Sequence, residues 1–123
     1  MRKKRILIVD DEPDLLEMVQ INLEMEGYEC IVAYDGFRGF ERARKEKPDL
    51  IILDVMLPGM NGYKVCRLLK FDEQYKHIPI IMLTAEAQEK DRQTGQETGA
   101  DFYMTKPFAA DKLLAKVKEY LGE

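Results

Sequence analysis

The sequence has little of what metal, redox or membrane chemistry usually requires. Its 123 residues include one histidine, His77, and two cysteines, Cys30 and Cys66. A single histidine builds no metal site alone, and the cysteines lack metal-ligand spacing. That usage suits a reducing compartment with both thiols free. No apolar run approaches the ~20 residues of a membrane span. The start, Met1-Arg2-Lys3-Lys4-Arg5, is basic and then apolar, like a secretory signal, but the apolar run stops at Val9 and meets Asp10-Asp11-Glu12. The apolar core of about 7–15 residues and the small-residue cleavage site of such a signal are missing. Basic excess is missing too: 19 Lys and Arg against 23 Asp and Glu give a net charge of −4. Nucleic-acid-binding domains are normally basic. The expectation is a cytoplasmic protein with no membrane contact and no direct nucleic-acid contact.

What is present is a chain 46% apolar and 34% charged. That composition fits one globular domain over residues 1–123, able to bury roughly two thirds of its unfolded surface without crosslinks. Short apolar runs alternate with longer amphipathic segments. Strands are expected at Arg5–Val9, Glu29–Ala33, Leu50–Leu53, Ile78–Leu83 and Phe102–Met104. Helices are expected at Pro13–Glu26, Phe37–Glu46, Tyr63–Phe71, Glu86–Thr98 and Ala110–Leu121. Pro13 suits a first helical turn, Gly27 a helix end, and Asp35-Gly36 a turn. Strict β–α alternation implies an α/β fold: a doubly wound five-stranded parallel sheet with helices on both faces. In such sheets ligands bind beyond the carboxyl ends of the strands.

The residues at those ends carry the argument. Strand one ends at Asp10-Asp11, strand three at Asp54, strand four at Thr84-Ala85, strand five at Thr105-Lys106-Pro107. Singly, each is ordinary: an Asp pair caps a helix, a lone Asp or Lys-Pro makes a turn, a Thr bonds nearby backbone. Together they place three carboxylates, a hydroxyl and an ammonium on one rim. Two carboxylates about 4 Å apart repel by roughly 4 kcal/mol at an effective dielectric near 20. Lys106 and a bound divalent metal would relieve that. Few oxygen ligands beside open positions suit Mg²⁺. Metal, lysine and carboxylate together describe phosphoryl transfer, with the carboxylate as nucleophile.

Five segments carry a resemblance over the whole chain. They are Ile6-Leu7-Ile8-Val9-Asp10-Asp11-Glu12, Pro48 to Asp54, Met56-Leu57-Pro58-Gly59-Met60-Asn61-Gly62, Leu83-Thr84-Ala85, and Gly99-Ala100-Asp101 through Lys106-Pro107-Phe108. With them the chain closely resembles the receiver domain of two-component response regulators, the CheY-like group. The resemblance implies strand order 2-1-3-4-5 and a phosphorylation-dependent switch. Asp54 would accept the phosphoryl group. Asp11, Asp54 and the Met56 backbone carbonyl would hold Mg²⁺ (or Mn²⁺) directly, and Asp10 through water. Lys106 and Thr84 would contact phosphoryl oxygens. Tyr103 would be the switch aromatic, turning inward as Thr84 moves, and Lys106–Pro107 would be cis. The donor would be a sensor histidine kinase or a histidine phosphotransfer protein, and the output an unidentified protein target. No kinase-type nucleotide loop is present, so no enzyme activity is expected beyond self-catalysed phosphoryl transfer and autodephosphorylation.

Further expectations concern this sequence in particular. Gln88–Thr98 has no large apolar residue, so this helix is the expected moving element, together with Tyr103. Gln93 and Gln96 weaken a dimerising patch there, so a monomer or a weak dimer is expected after phosphorylation. Met56 and Glu86 flank the route of attacking water and would tune the phosphoryl lifetime. Met1 and an end just past the last helix suit a free-standing single domain, though an excised receiver would read alike. Two other classes fit less well. A haloacid-dehalogenase-type phosphohydrolase expects Asp-x-Asp where this chain has Asp10-Asp11-Glu12. A flavodoxin-type carrier needs a phosphate cradle where Asp10 to Asp14 would repel one.

Overall fold

The structure is a computed structural model that describes residues 2–85 and 99–123. Five strands form one parallel sheet in the order β2-β1-β3-β4-β5: β1 Arg5–Val9, β2 Glu29–Ala33, β3 Leu50–Asp54, β4 Ile80–Ala85 and β5 Phe102–Lys106. Four helices are described: α1 Pro13–Met25, α2 Gly36–Glu46, α3 Gly62–Lys70 and α4 Ala110–Tyr120. The expected helix at Glu86–Thr98 lies outside the described residues.

The unbroken apolar runs of β1 and β3 follow from burial on both faces of the sheet. Side chains alternate along a strand. Ile6, Ile8, Leu50 and Ile52 pack with Leu16, Val19 and Leu23 of α1 and Leu113 and Val117 of α4. Leu7, Val9, Ile51 and Leu53 pack with Ala43 of α2 and Val65, Cys66 and Leu69 of α3. All eight strand residues are at most 1% exposed. Register is therefore fixed: slipping one strand by a residue would exchange the two faces.

Several boundaries differ from the sequence reading, each for a local reason. Strand β4 starts at Ile80, not Ile78, because the Ile78 N–H bonds back to the Tyr75 carbonyl in a turn and Pro79 has no N–H to give. Asp35-Gly36 is not a free turn: Asp35 caps α2, its carboxylate accepting the Arg38 N–H at 2.8 Å, and Gly36 is the first helical residue. Gly27 does end the first helical segment, at φ +91°. Asp54, Thr84, Ala85, Thr105 and Lys106 sit inside their strands, because the parallel ladder continues through Asp54↔Leu83, Thr84↔Thr105 and Ala85↔Lys106. Both cysteines are free. Among the described residues, no helix is long and apolar enough to cross a membrane.

Candidate functional site

The chain leaves β1 to pair with β2 on one side and returns as β3 on the other. The carboxyl ends of β1 and β3 therefore flank the switch point of the sheet, where such folds form a crevice. Val9 and Leu53 are the last registered pair of these strands, so Asp10 and Asp54 emerge side by side. Asp10 is fully buried and Asp54 is 4% exposed. The Asp10 carboxylate accepts the Glu12 N–H at 2.9 Å, which turns the chain toward α1, and accepts the Lys106 ammonium at 3.1 Å.

Lys106 reaches across from the end of β5. Its Nζ lies 2.9 Å from Glu12 Oε1, 3.1 Å from Asp10 Oδ2 and 3.4 Å from Asp54 Oδ1. The Lys106–Pro107 peptide is cis. Asp11, Glu12, Asp54, Met56, Ala85 and Lys106 line a cleft of about 290 Å³. Thr84 is buried in β4, one residue beyond Leu83, the partner of Asp54. The Tyr103 ring packs into the core on the α2–α3 side of the sheet. The Met56 side chain stands exposed at the rim. Glu86 and the 93 and 96 positions lie outside the described residues, so the structure places only Met56 of the expected lifetime-tuning pair.

The charges here do not balance. Four carboxylates, those of Asp10, Asp11, Glu12 and Asp54, meet one ammonium among the described residues. Burial pushes the Asp54 carboxyl up to about 6, and the neighbouring Asp10 adds to it; Lys106 and the Met56 backbone only partly offset them. Burial raises Asp10 as well, against the Glu12 N–H and Lys106. Burial alone would lower the Lys106 pKa, but Glu12, Asp54 and Asp10 outweigh it and hold the ammonium above its ordinary range. Oxygens of Asp10, Glu12 and Asp54 come within 4.8 Å of one another. This is a hard-oxygen donor set with uncompensated negative charge, and it fits a divalent cation such as Mg²⁺ or Mn²⁺. Asp11, expected as a direct ligand, lines the cleft but stands exposed outside that trio.

Two contributors carried no assigned role in the sequence reading. One is Glu12, which makes the shortest contact to Lys106 from 94 residues away. The other is Gly62, whose N–H donates to the Val55 carbonyl at 2.8 Å. A Cβ on Gly62 would come within 2.1 Å of the Asp54 carbonyl oxygen. Only glycine lets α3 start against the strand end that holds Asp54.

Comparison with known proteins agrees with this geometry. The profile of the response regulator receiver domain matches residues 6–118. The chain belongs to that family, the phosphorylation-switched receivers of two-component signalling. It is 48% identical over 117 residues to the DNA-binding dual master transcriptional regulator RpaA of a Synechocystis species, covering 95% of this chain and 48% of that regulator. The chain thus spans about half the length of that relative. Among solved structures it superposes on the chemotaxis response regulator CheY4 of Vibrio cholerae with a TM-score of 0.89 at 34% identity, covering 97% of this chain and 99% of that one. It also matches the receiver domain of sensor histidine kinase PA1611 from Pseudomonas aeruginosa PAO1, at a TM-score of 0.89 and 30% identity over 99% of this chain and 100% of that one. That structure has a magnesium ion coordinated in its active site cleft. The expectation of no nucleic-acid contact rests on the net charge of −4 alone, and it is not supported, since the relatives include a DNA-binding regulator.

Proposed function

We propose that Asp54 accepts a phosphoryl group from a phosphohistidine on a sensor histidine kinase or phosphotransfer protein. The supporting observation is a buried carboxylate at the β3 end, pushed up to about 6 and 3.4 Å from an ammonium. At neutral pH such a group is still mostly ionised and more basic than an ordinary aspartate, which suits a nucleophile. In the transfer an Asp54 carboxylate oxygen forms the O–P bond as the P–N bond of the donor breaks. The electron pair stays on the leaving imidazole. Lys106 donates to a phosphoryl oxygen, and the Thr84 hydroxyl donates to another as it shifts. Asp54, Asp11 and the Met56 carbonyl, with Asp10 through water, would hold Mg²⁺, which would supply charge neutralisation there. Hydrolysis then frees inorganic phosphate and restores the carboxylate, with exposed Met56 shielding the anhydride. No other enzymatic activity is assigned, and the site works in the cytoplasm.

Phosphorylation is read out through Thr84 and Tyr103 to a protein target, with weak self-association at most. A second reading, transcriptional output through a further domain, is favoured by the match to RpaA over about half its length. The test is intact-protein mass after incubation with Mg²⁺ and acetyl phosphate. A single phosphoryl adduct that disappears with chelator and with Asp54→Ala is expected. A folded wild-type protein that binds Mg²⁺ and gains no adduct from acetyl phosphate or from a phosphohistidine donor overturns the proposal.

A further inference from the structure

We infer that Glu12 is a positioning residue that shares the Lys106 ammonium with Asp10 and Asp54 before phosphorylation and competes with the incoming phosphoryl group for it. The inference rests on the reading of Asp54 as phosphoacceptor. Three observations carry it. The Lys106 ammonium lies nearer Glu12, at 2.9 Å, than Asp54, at 3.4 Å. Glu12 occupies the N-cap position of α1, yet its side chain makes no capping bond to the helix. The helix start is secured instead by the Glu12 carbonyl, which accepts the Leu16 N–H at 3.0 Å, and by Pro13. The Glu12 carboxylate is therefore free to engage Lys106 without cost to its own helix. It is also largely solvent-exposed, at 59%, while Asp10 on the other side of the ammonium is fully buried. Asp10 is thus a fixed anchor and Glu12 a releasable one. A phosphoryl group on Asp54 replaces its single negative charge by about two, carried on phosphoryl oxygens on the far side of Lys106. The ammonium then leaves Glu12, and the Glu12 side chain swings into solvent.

The test compares wild type, Glu12→Gln and Glu12→Asp. Each is titrated with Mg²⁺ alone, then with beryllofluoride at saturating Mg²⁺. Urea unfolding of the three checks that the fold is intact. Glu12→Gln keeps the shape and removes the charge. It should bind beryllofluoride roughly two- to fivefold more tightly, the range set by losing one partly exposed ion pair. Because Glu12 belongs to the acidic trio, the variant's Mg²⁺ affinity should fall, by less than the roughly hundredfold that an outer-shell partner can cost. Glu12→Asp keeps the charge but withdraws it by one methylene, and should behave like Glu12→Gln. Unchanged or weaker beryllofluoride binding in Glu12→Gln overturns the inference. So does Glu12→Asp behaving as wild type, which would mean general charge rather than contact. A loss of Mg²⁺ affinity in Glu12→Gln larger than that overturns it in favour of a ligand role. If wild type itself takes no beryllofluoride, the phosphoacceptor reading fails first, and that result is distinct from the other three.

Discussion

Each end of the sheet carries a cluster of charges, and the two behave in opposite ways. At the amino end, Arg5 binds Glu29 at 2.9 Å and reaches both the carboxylate and the backbone carbonyl of Glu46. Asp49 accepts the Arg5 N–H at 2.7 Å and pairs with Arg2. There the hydrogen bond from Arg5 holds the Glu46 carboxyl below its usual range, and the same bond raises Arg5. At the carboxyl end both buried carboxyls are raised. Charge pairs that only fasten a fold together satisfy one another. Carboxylates that are buried and left in excess mark a place where another positive charge is expected. The contrast therefore locates the site without reference to any relative.

The largest expected effect breaks the carboxyl end through its backbone. Gly62→Ala places a methyl group 2.1 Å from the Asp54 carbonyl oxygen. It should lower stability by about 3 kcal/mol, read from the urea midpoint. Both α3 and the strand end would have to move, so Mg²⁺ affinity should fall as well. A variant of wild-type stability would show that this contact is looser than described.

Asp54→Asn should do the reverse in metal-free protein. The folded state holds the Asp54 proton up to about pH 6, against an ordinary 3.8. Because the folded pKa is the higher one, the stabilising contribution is fully present below pH 3.8 and is lost as pH rises through 6. At neutral pH, replacing this carboxylate by an amide should stabilise the metal-free protein by about 1–3 kcal/mol. Mg²⁺ should stabilise wild type and leave Asp54→Asn unmoved. Thermal unfolding with and without chelator reads both effects, and a destabilised amide variant would contradict the charge imbalance.

The smallest effect lies at the amino end. Arg5→Met should cost about 1 kcal/mol in urea unfolding, shrinking as salt is raised. Glu46 is lowered in the fold, so its contribution is present above the ordinary carboxylate range and lost on acidification. The pH slope of this cluster is thus opposite in sign to that of Asp54. Equal salt sensitivity and equal slope at the two ends would erase the comparison.

Much of this was legible from the chain. The runs Ile6–Val9 and Leu50–Leu53 are apolar at every position because helices cover both sheet faces, and the residues that end them, Asp10 and Asp54, are thereby set at one edge. Alternation of such runs with amphipathic segments fixes a parallel sheet. Boundaries were less legible. The β4 start depends on which backbone groups find partners, and Ile78 is as apolar as Ile80. Thr84 and Lys106 lie within strands because the ladder outlasts the apolar run. The Glu12–Lys106 contact had no local signal, since an ion pair across the sheet leaves no spacing pattern. In the sequence Gly62 is one glycine at the end of the Met56–Gly62 motif. Its reason, a backbone approach to Asp54, appears only once β3 and α3 are in place.

The most direct test is the titration of the Asp54 carboxyl carbon by NMR, in metal-free protein and again with saturating Mg²⁺. The account predicts a midpoint near 6 without metal. With Mg²⁺ it predicts a downward shift of the midpoint, because the cation favours the ionised form. A midpoint at the ordinary aspartate value, unmoved by Mg²⁺, would contradict the claim that the carboxyl end holds a charge excess a cation completes.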